Sequence, residues 1–292
     1  MKILLVNGSP HEKGCTYTAL NAVAEALQEN GIEADFFHIG HKPLSGCIAC
    51  KTCVSTGRCA IDDKVNEFLS LAGEYDGFVF GTPVYAGRVP NVLLPFLKTI
   101  AGGGALAVPV VLFGNRNFDD GLIELCGLLE ADGFHTVAGA AFVGEHAFSR
   151  TLAAGRPDAD DLAEARDFAV RIAEKLTHGE GLDTPVAVRG ETPLRPYYTP
   201  RDRAGQPVNI LKVKPKTDPA KCDGCGKCAA VCPMGSIDPG DFRTVKGICI
   251  KCCACEKTCP TGAKYFDDPG YLYHKRELEL GFARRAKNET FL

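Results

Sequence analysis

The chain has 292 residues, of which 45% are hydrophobic and 24% are charged, and its formal net charge at pH 7 is −3. This length allows two domains, and the composition is ordinary for a globular protein. The charge gives no sign of nucleic-acid binding. No segment approaches the roughly 18 uninterrupted apolar residues of a membrane helix, and the start does not resemble a secretory signal. We therefore expect a cytoplasmic protein without membrane insertion.

Strand-like and helix-like segments alternate along residues 1–178. The predicted strands are Lys2–Asn7, Glu33–Ile39, Gly77–Gly81, Ala107–Phe113 and Val137–Val143. The predicted helices are Thr16–Glu29, Lys64–Ala72, Pro90–Thr99, Asp120–Ala131 and Asp158–Leu176. This alternation predicts an α/β fold, a flavodoxin-like doubly wound parallel sheet of five strands in the order 2-1-3-4-5.

Three loops follow predicted strands at the edge where open α/β sheets bind ligands. The first loop begins a helix with small and hydroxyl residues, which suits a phosphate, although a capped turn without a ligand is the alternative. Tyr85 in the second loop can stack on a flavin ring. A mononucleotide fits better than NAD because the dinucleotide glycine pattern is absent. The candidate contacts are Ser9, His11, Gly14, Cys15, Thr16, Thr82, Pro83, Val84, Tyr85, Ala86, Gly87, Asn115, Arg116, Phe118 and Asp119.

Cysteine is unusually frequent, with 15 residues, most of them in two short regions. Densely grouped cysteines in a reducing compartment are typical of metal sites rather than of disulfides. The first region is a loop at 46–60 that contains the candidate metal ligands Cys47, Cys50, Cys53 and Cys59. A 4Fe–4S cluster, a zinc ion and redox-active thiols are all compatible with this spacing.

The second region follows a Gly- and Pro-rich linker at 179–213 and occupies residues 214–268. It repeats C-x2-C-x2-C-x3-C-P twice, which is the run of bacterial two-cluster ferredoxins, in which the fourth Cys of each run ligates the other cluster. One cluster is predicted on Cys222, Cys225, Cys228 and Cys259, and the second on Cys232, Cys249, Cys252 and Cys255. Two zinc sites are the alternative. Cys253 is out of phase and is predicted to be a non-ligand thiol. A tail at 269–292 is expected to contain a short docking helix.

These motifs resemble known families. Gly8-Ser9-Pro10 and the run Gly81-Thr82-Pro83-Val84-Tyr85 resemble the NADPH-dependent FMN reductase and iron–sulfur flavoprotein family. The runs 113–120, 144–146 and 155–158 resemble the flavodoxin–ferredoxin fusion proteins of anaerobic bacteria, and the cysteine repeats resemble their small α+β two-cluster ferredoxins.

The resemblance implies FMN as the mononucleotide. It also implies a third 4Fe–4S cluster on the 46–60 loop, near the flavin and at a subunit interface. One departure is Cys15, which stands where the FMN reductase pattern usually has Asn. His11 is expected to face the phosphate in place of the family's basic residue, although a solvated loop histidine is the alternative.

The expected function is electron transfer between 4Fe–4S clusters and FMN, with no catalytic side chain because the chemistry is centred on the flavin. The alternatives are an FMN-dependent reductase of a small molecule, such as a quinone, a nitro compound, free flavin or an unsaturated acceptor, and a zinc-bearing module without redox function. Expected partners are a ferredoxin, a reductase or a small acceptor, and a second copy of the chain in a dimer or tetramer. Glu145 and His146 are expected to be structural, and Cys126 a core thiol.

Overall fold

The computed structural model of this chain describes residues 1–40, 49–56, 58–61, 64–179 and 181–292. The predicted cluster ligand Cys47 lies outside the described residues. In the described part, the strands are β1 (Lys2–Asn7), β2 (Glu33–His38), β3 (Gly77–Pro83), β4 (Leu106–Phe113), β5 (His135–Thr136), β6 (Gly139–Val143), β7 (Lys216–Thr217), β8 (Lys264–Tyr265) and β9 (Glu289–Phe291).

The main sheet has the order β2-β1-β3-β4-β6-β9, and β5 also pairs with β4. All of these pairs are parallel except the antiparallel pair of β6 and β9. The flavodoxin-like order 2-1-3-4-5 is therefore confirmed, with β6 inside the fifth predicted strand at Val137–Val143 and the short β5 just before it. The antiparallel edge strand β9 was not predicted.

The helices in the described residues are α1 (Cys15–Glu29), α2 (Thr52–Thr56), α3 (Lys64–Ala72), α4 (Leu94–Leu97), α5 (Gly121–Ala131), α6 (Ala159–His178), α7 (Lys227–Ala230), α8 (Ala254–Lys257) and α9 (Pro269–Gly281). The helix predicted at Pro90–Thr99 was too long. Pro95 lacks an amide hydrogen and is tolerated only in a first turn, which is consistent with a helix that begins at Leu94. No helix in the described residues is long and apolar enough to cross a membrane.

Each face of the main sheet is covered by helices. Successive residues of a strand point to opposite faces, so Leu4 joins the core under α3 and α5 while Leu5 joins the core under α1 and α6. Phe68 and Phe168, which come from the helices on these two faces, are fully buried. This packing fixes the strand ends and the loops that follow them.

Residues 181–213, here called the strap, run along the surface of the α/β domain. The Val186 amide donates to the Thr136 carbonyl oxygen at 2.8 Å, and the Tyr198 amide donates to the Ala86 oxygen at 2.8 Å. Between them, the Arg195 guanidinium forms an ion pair with the buried carboxylate of Asp120. The connection between the two cysteine-bearing parts of the chain is therefore an ordered strap and not a free tether.

The cysteine-rich region, residues 214–268, has only short elements. Strands β7 and β8 pair antiparallel, and helices α7 and α8 carry Cys228 and Cys255. Its two small apolar clusters include cysteine side chains. This α+β arrangement agrees with the predicted ferredoxin-type fold.

The C-terminal segment returns to the α/β domain. Asp268 caps α9 by accepting a hydrogen bond from the Tyr271 amide at 2.8 Å. The Asn115 side chain then donates to the carbonyl oxygens of Phe282 and Arg284, and it accepts from the Ala286 amide. These bonds lead the chain into β9. The predicted docking helix is present, and the segment also extends the sheet.

Candidate flavin and cluster site

The loop between β1 and α1 is organised around the start of the helix. The Ser9 amide donates to Asn7 Oδ1 at 3.0 Å, and the His11 amide donates to Ser9 Oγ at 3.1 Å. Gly14 is the N-cap of α1 and makes no side-chain capping hydrogen bond. The first amides of α1 are therefore available to a phosphate, where the helix dipole adds to the attraction.

The Cys15 thiol, at the first residue of α1, packs against other parts of the α/β domain. The Cys15 thiol lies 3.5 Å from the Arg156 carbonyl oxygen, and burial raises the pKa of this thiol. A Cβ atom on Gly144 would lie 2.9 Å from the Cys15 Cβ atom, so these two segments of the chain approach each other closely. Cys15 can thus offer its amide to a phosphate while its thiol is used in packing.

A cavity of about 770 Å³, here called the central cavity, lies where the strand-end loops meet the strap, the cysteine-rich region and α9. Its volume is in the range of small-molecule and cofactor sites. The predicted contacts that line it are Ser9, His11, Gly14, Cys15, Thr16, Pro83, Val84, Tyr85, Ala86, Gly87 and Arg116. Two of the three predicted loops and one residue of the third therefore line the central cavity.

Four predicted flavin contacts do not line the central cavity: Thr82, Asn115, Phe118 and Asp119. The Thr82 hydroxyl donates to the Pro83 carbonyl oxygen, and Phe118 is fully buried in the core. The Asp119 carboxylate pairs with Arg116, and the Asn115 amide holds the C-terminal segment. These four side chains are therefore used in contacts or packing within the chain.

One set of predicted cluster ligands, here called the inner quartet, lines a single small cavity: Cys232, Cys249, Cys252 and Cys255. Apolar side chains such as Ile237 and Phe266 complete its wall. Burial raises the pKa of the Cys249, Cys252 and Cys255 thiols, to about 11 for Cys252 and about 12 for Cys255. Buried thiols become thiolates when they ligate a metal, so this enclosed donor set fits an iron–sulfur cluster.

Cys252 also lines the central cavity, so one side chain borders both spaces. Tyr85, from the loop after β3, lies near the same wall. Burial, and to a smaller extent the charges of Cys252 and Cys253, raise the pKa of the Tyr85 phenol. The predicted flavin loop and the inner quartet are therefore neighbours within one chain.

The other predicted set, here called the outer quartet, is more open to solvent. Cys225 is exposed and Cys228 is buried, while Cys222 and Cys259 are half-buried. Gly224 and Gly226 have φ angles of +74° and +72°, a conformation that favours glycine, so they allow the tight turn between ligands.

The described cysteines of the 46–60 loop lie at the surface. Cys50 and Cys53 are exposed, and Cys59 is half-buried. The Asn66 side chain fixes Cys59 by accepting from its amide and donating to its carbonyl oxygen. Among the residues that the structure describes, no three His, Cys, Asp or Glu side chains converge on one metal-ion position.

Specific contacts hold the cysteine-rich region against the α/β domain. The Lys257 ammonium donates to Glu145 Oε1 and to the His146 carbonyl oxygen, both at 2.8 Å. The Arg150 guanidinium donates to the Glu256 carbonyl oxygen at 2.9 Å, and the Phe148 ring packs on Tyr271 of the adjoining α9 with the ring centroids 5.1 Å apart. These contacts close the central cavity on the side of the inner quartet.

Sequence comparisons agree with both parts of this site. Residues 1–114 match the family described as NADPH-dependent FMN reductase, and residues 214–237 match a 4Fe-4S binding domain. The α/β domain has a flavodoxin-like fold, and the segment at 214–237 is similar to ferredoxin-type 4Fe–4S domains. The two matches support binding of FMN and of a 4Fe–4S group by this chain, and the loops and the inner quartet fit these groups.

The chain also resembles individual proteins. It is 39% identical over 89 residues to an iron-sulfur flavoprotein of Methanocaldococcus jannaschii, covering 30% of this chain and 46% of that protein. It is 32% identical over 93 residues to an iron-sulfur flavoprotein of Methanosarcina thermophila, covering 32% of this chain and 49% of that protein. The matched segment thus spans about half the length of these relatives.

Among solved structures, a flavone reductase aligns with a TM-score of 0.48 and 14% identity, over 65% of this chain and 66% of that one. An archaeal flavodoxin aligns with a TM-score of 0.40 and 14% identity, over 61% of this chain and all of that one (100%).

Several residues of the site were not predicted from the sequence. Tyr198 of the strap and His274 of α9 line the central cavity, and Asn7 organises the phosphate loop. A signal existed for His274, because Tyr271, His274 and Leu278 recur at helical spacing and are all buried. The strap lacks periodicity and offered no comparable signal.

Proposed function

We propose that this protein transfers electrons between 4Fe–4S clusters and FMN bound in the central cavity, and so couples one-electron and two-electron redox partners. The observation that carries the proposal is the position of Cys252, which lines both the small cavity of the inner quartet and the central cavity. FMN exchanges electrons in pairs or singly, and each cluster exchanges one electron at a time.

In this proposal the cysteine sets have different tasks. The inner quartet holds the cluster that exchanges electrons with the flavin. The outer quartet holds a second cluster, and its exposed Cys225 marks the side that a redox partner protein can approach. The ligand set Cys47, Cys50, Cys53 and Cys59 holds a third cluster, and the exposure of Cys50 and Cys53 suits an interface with another copy in a dimer or tetramer.

The remaining residues bind and enclose the flavin. The amides at the start of α1 and the Ser9 and Thr16 hydroxyls would hold the phosphate, and the loop at 83–87 would contact the ring. The strap and α9 exclude water from the opposite side. The proposed division of the chain is 1–178 for FMN, 179–213 as the connection, 214–268 for two clusters and 269–292 as the tail, in a protein of the cytoplasm.

The test compares two adjacent cysteines in the air-free, FMN-loaded full chain. Cys252→Ser is expected to remove the inner cluster signal in electron paramagnetic resonance and to slow flavin reduction by a reduced partner ferredoxin, while FMN stays bound. Cys253→Ser is the matched control and is expected to keep both. Equal flavin reduction in the two variants would contradict the proposal. Three clusters also predict about twelve irons per FMN, against about eight for two clusters.

A second candidate is an FMN-dependent reductase of a small molecule, fed by its own clusters. It is favoured by the extension of the central cavity beyond the flavin loops to Tyr198, His274 and Leu278. A screen of quinones, nitro compounds, free flavin and unsaturated acceptors distinguishes the two candidates. A reductase shows saturation with one class of acceptor, whereas a carrier reduces all of them slowly and without saturation.

A further inference from the structure

His274 is a buried polar side chain without a polar partner. It is 6% exposed and lines the central cavity. Its ring contacts are with Phe148 and Tyr198, at centroid distances of 6.1 Å and 6.0 Å. No hydrogen bond joins its imidazole to any residue that the structure describes. The imidazole nitrogens of His274 are not among the fully buried atoms that lack a partner, so they are open to the central cavity. A polar side chain at a cavity wall that has no partner within the chain is available to a ligand.

His146, in the loop after β6, also lines the central cavity, and its orientation is fixed by a backbone contact. Its Nδ1 accepts a hydrogen bond from the Phe148 amide at 3.1 Å, so the neutral ring carries its proton on Nε2. A Cβ atom on Gly114 would lie 2.7 Å from the His146 ring, so this glycine allows the ring to pack closely. Burial lowers the pKa of both histidines to about 4, and both are therefore neutral at pH 7.

Arg116 adds further donors to the same wall. Its guanidinium lies 4.3 Å from the centroid of the Tyr198 ring and pairs with the Asp119 carboxylate. The ion pair leaves several N–H groups of the guanidinium for other acceptors. Because Asp119 balances the charge of Arg116 and both histidines are neutral, these four side chains together carry no net charge. The Phe148 and Tyr198 rings lie beside them.

We propose that His274, His146 and Arg116 form a binding site for the carbonyl oxygen of a flat organic electron acceptor, the class that includes quinones and enones. The N–H donors of the Arg116 guanidinium and of the His146 ring suit a carbonyl oxygen, and the Tyr198 and Phe148 rings suit a flat ligand. This inference rests on the proposed function in one respect, since FMN occupies the rest of the cavity.

The test measures binding without electron transfer. Oxidised, FMN-loaded full-length protein is titrated by calorimetry with anthraquinone-2-sulfonate and with anthracene-2-sulfonate, which differ in the two carbonyl oxygens. The wild-type protein is expected to bind the quinone about tenfold more tightly, as one or two hydrogen bonds would produce. His274→Leu is expected to remove most of this preference, and His274→Asn, which keeps an N–H donor, to retain it.

Two results would overturn the inference. One is the absence of any preference in the wild-type protein, a result that needs no variant. The other is a His274→Leu protein that keeps the preference but binds FMN more weakly, since the imidazole would then serve the flavin. Failure of the proposed function is a separate observation, because it would appear as purified protein without iron or FMN.

Discussion

The two parts of the molecule are held together by different forces. The α/β domain buries large side chains on both faces of its sheet, among them Leu5, Phe68 and Phe168. The cysteine-rich region has two small apolar clusters, and one of them contains the predicted ligands Cys228 and Cys255. A region of this size has too little core to be stable without metal. The comparison indicates that hydrophobic burial folds the first part and that cluster assembly folds the second.

The largest expected effect follows from removing iron. Air-free chelation is expected to abolish hydrogen-exchange protection across residues 214–268 and to leave β1–β4 protected, because only the cysteine-rich region depends on metal for its folding. Mass-spectrometric hydrogen exchange measures both regions in one sample, so the α/β domain is the internal control. Equal protection before and after iron removal would show that the cysteine-rich region folds without clusters.

A large effect is also expected at the ion pair that links α6 to the C-terminal segment. Arg156 and Asp161 are both buried, and Arg156 also donates to the Ala286 carbonyl oxygen. Asp161→Ala leaves a buried guanidinium unpaired and is expected to lower the free energy of unfolding by about 3–5 kcal/mol. Asp160→Ala is the control: its side chain is 88% exposed, and denaturant unfolding should change by less than about 0.5 kcal/mol.

A smaller effect is expected at Asn115. It tests whether the Asn115 side chain holds the C-terminal segment or contacts the flavin. Asn115→Gly keeps a backbone that tolerates the observed φ of +63° but removes the bonds to the C-terminal segment. The free energy of unfolding should fall by about 1–3 kcal/mol, while FMN affinity is unchanged. Tyr85→Ala is expected to weaken FMN binding and to leave the free energy of unfolding nearly unchanged. Weaker FMN binding by Asn115→Gly would instead support the prediction that Asn115 contacts the flavin.

The smallest effect is expected at the ion pair between Arg195 of the strap and Asp120, whose contribution to stability depends on pH. Hydrogen bonding to Arg195 lowers the pKa of the buried Asp120 carboxyl to about 2. The ionised carboxylate therefore stabilises the folded state fully above about pH 4 and loses this contribution as the pH falls towards 2.

Asp120→Asn should cost about 1 kcal/mol near neutral pH, because Arg195 is partly exposed. Unfolding of iron-free wild-type and variant proteins measures this difference between pH 5 and pH 2.5. The free-energy difference between the two proteins should shrink as the pH falls, because Asp120 becomes protonated in the wild-type protein. A difference that grows towards pH 2.5 would contradict this expectation.

The sequence predicted the sheet well because hydrophobic periodicity is a local property. Lys2–Asn7 and Lys64–Ala72 were predicted with their observed bounds. Strand β9 was missed because three residues beside charged neighbours have no period to detect, and pairing with β6 is a tertiary effect. The same reason explains Asn115, whose partners lie about 170 residues further along the chain. Repeated cysteine spacing predicted the inner quartet, but only the fold places Cys252 beside the flavin loops.

The central claim is that electrons pass between cluster and flavin within a single chain. Stopped-flow absorbance of the air-free, FMN-loaded protein, mixed with a substoichiometric one-electron reductant, follows the transfer from cluster to flavin. The account predicts a first-order rate that is the same at widely different protein concentrations. A rate that rises in proportion to protein concentration would contradict it, because the electrons would then be passing between separate molecules.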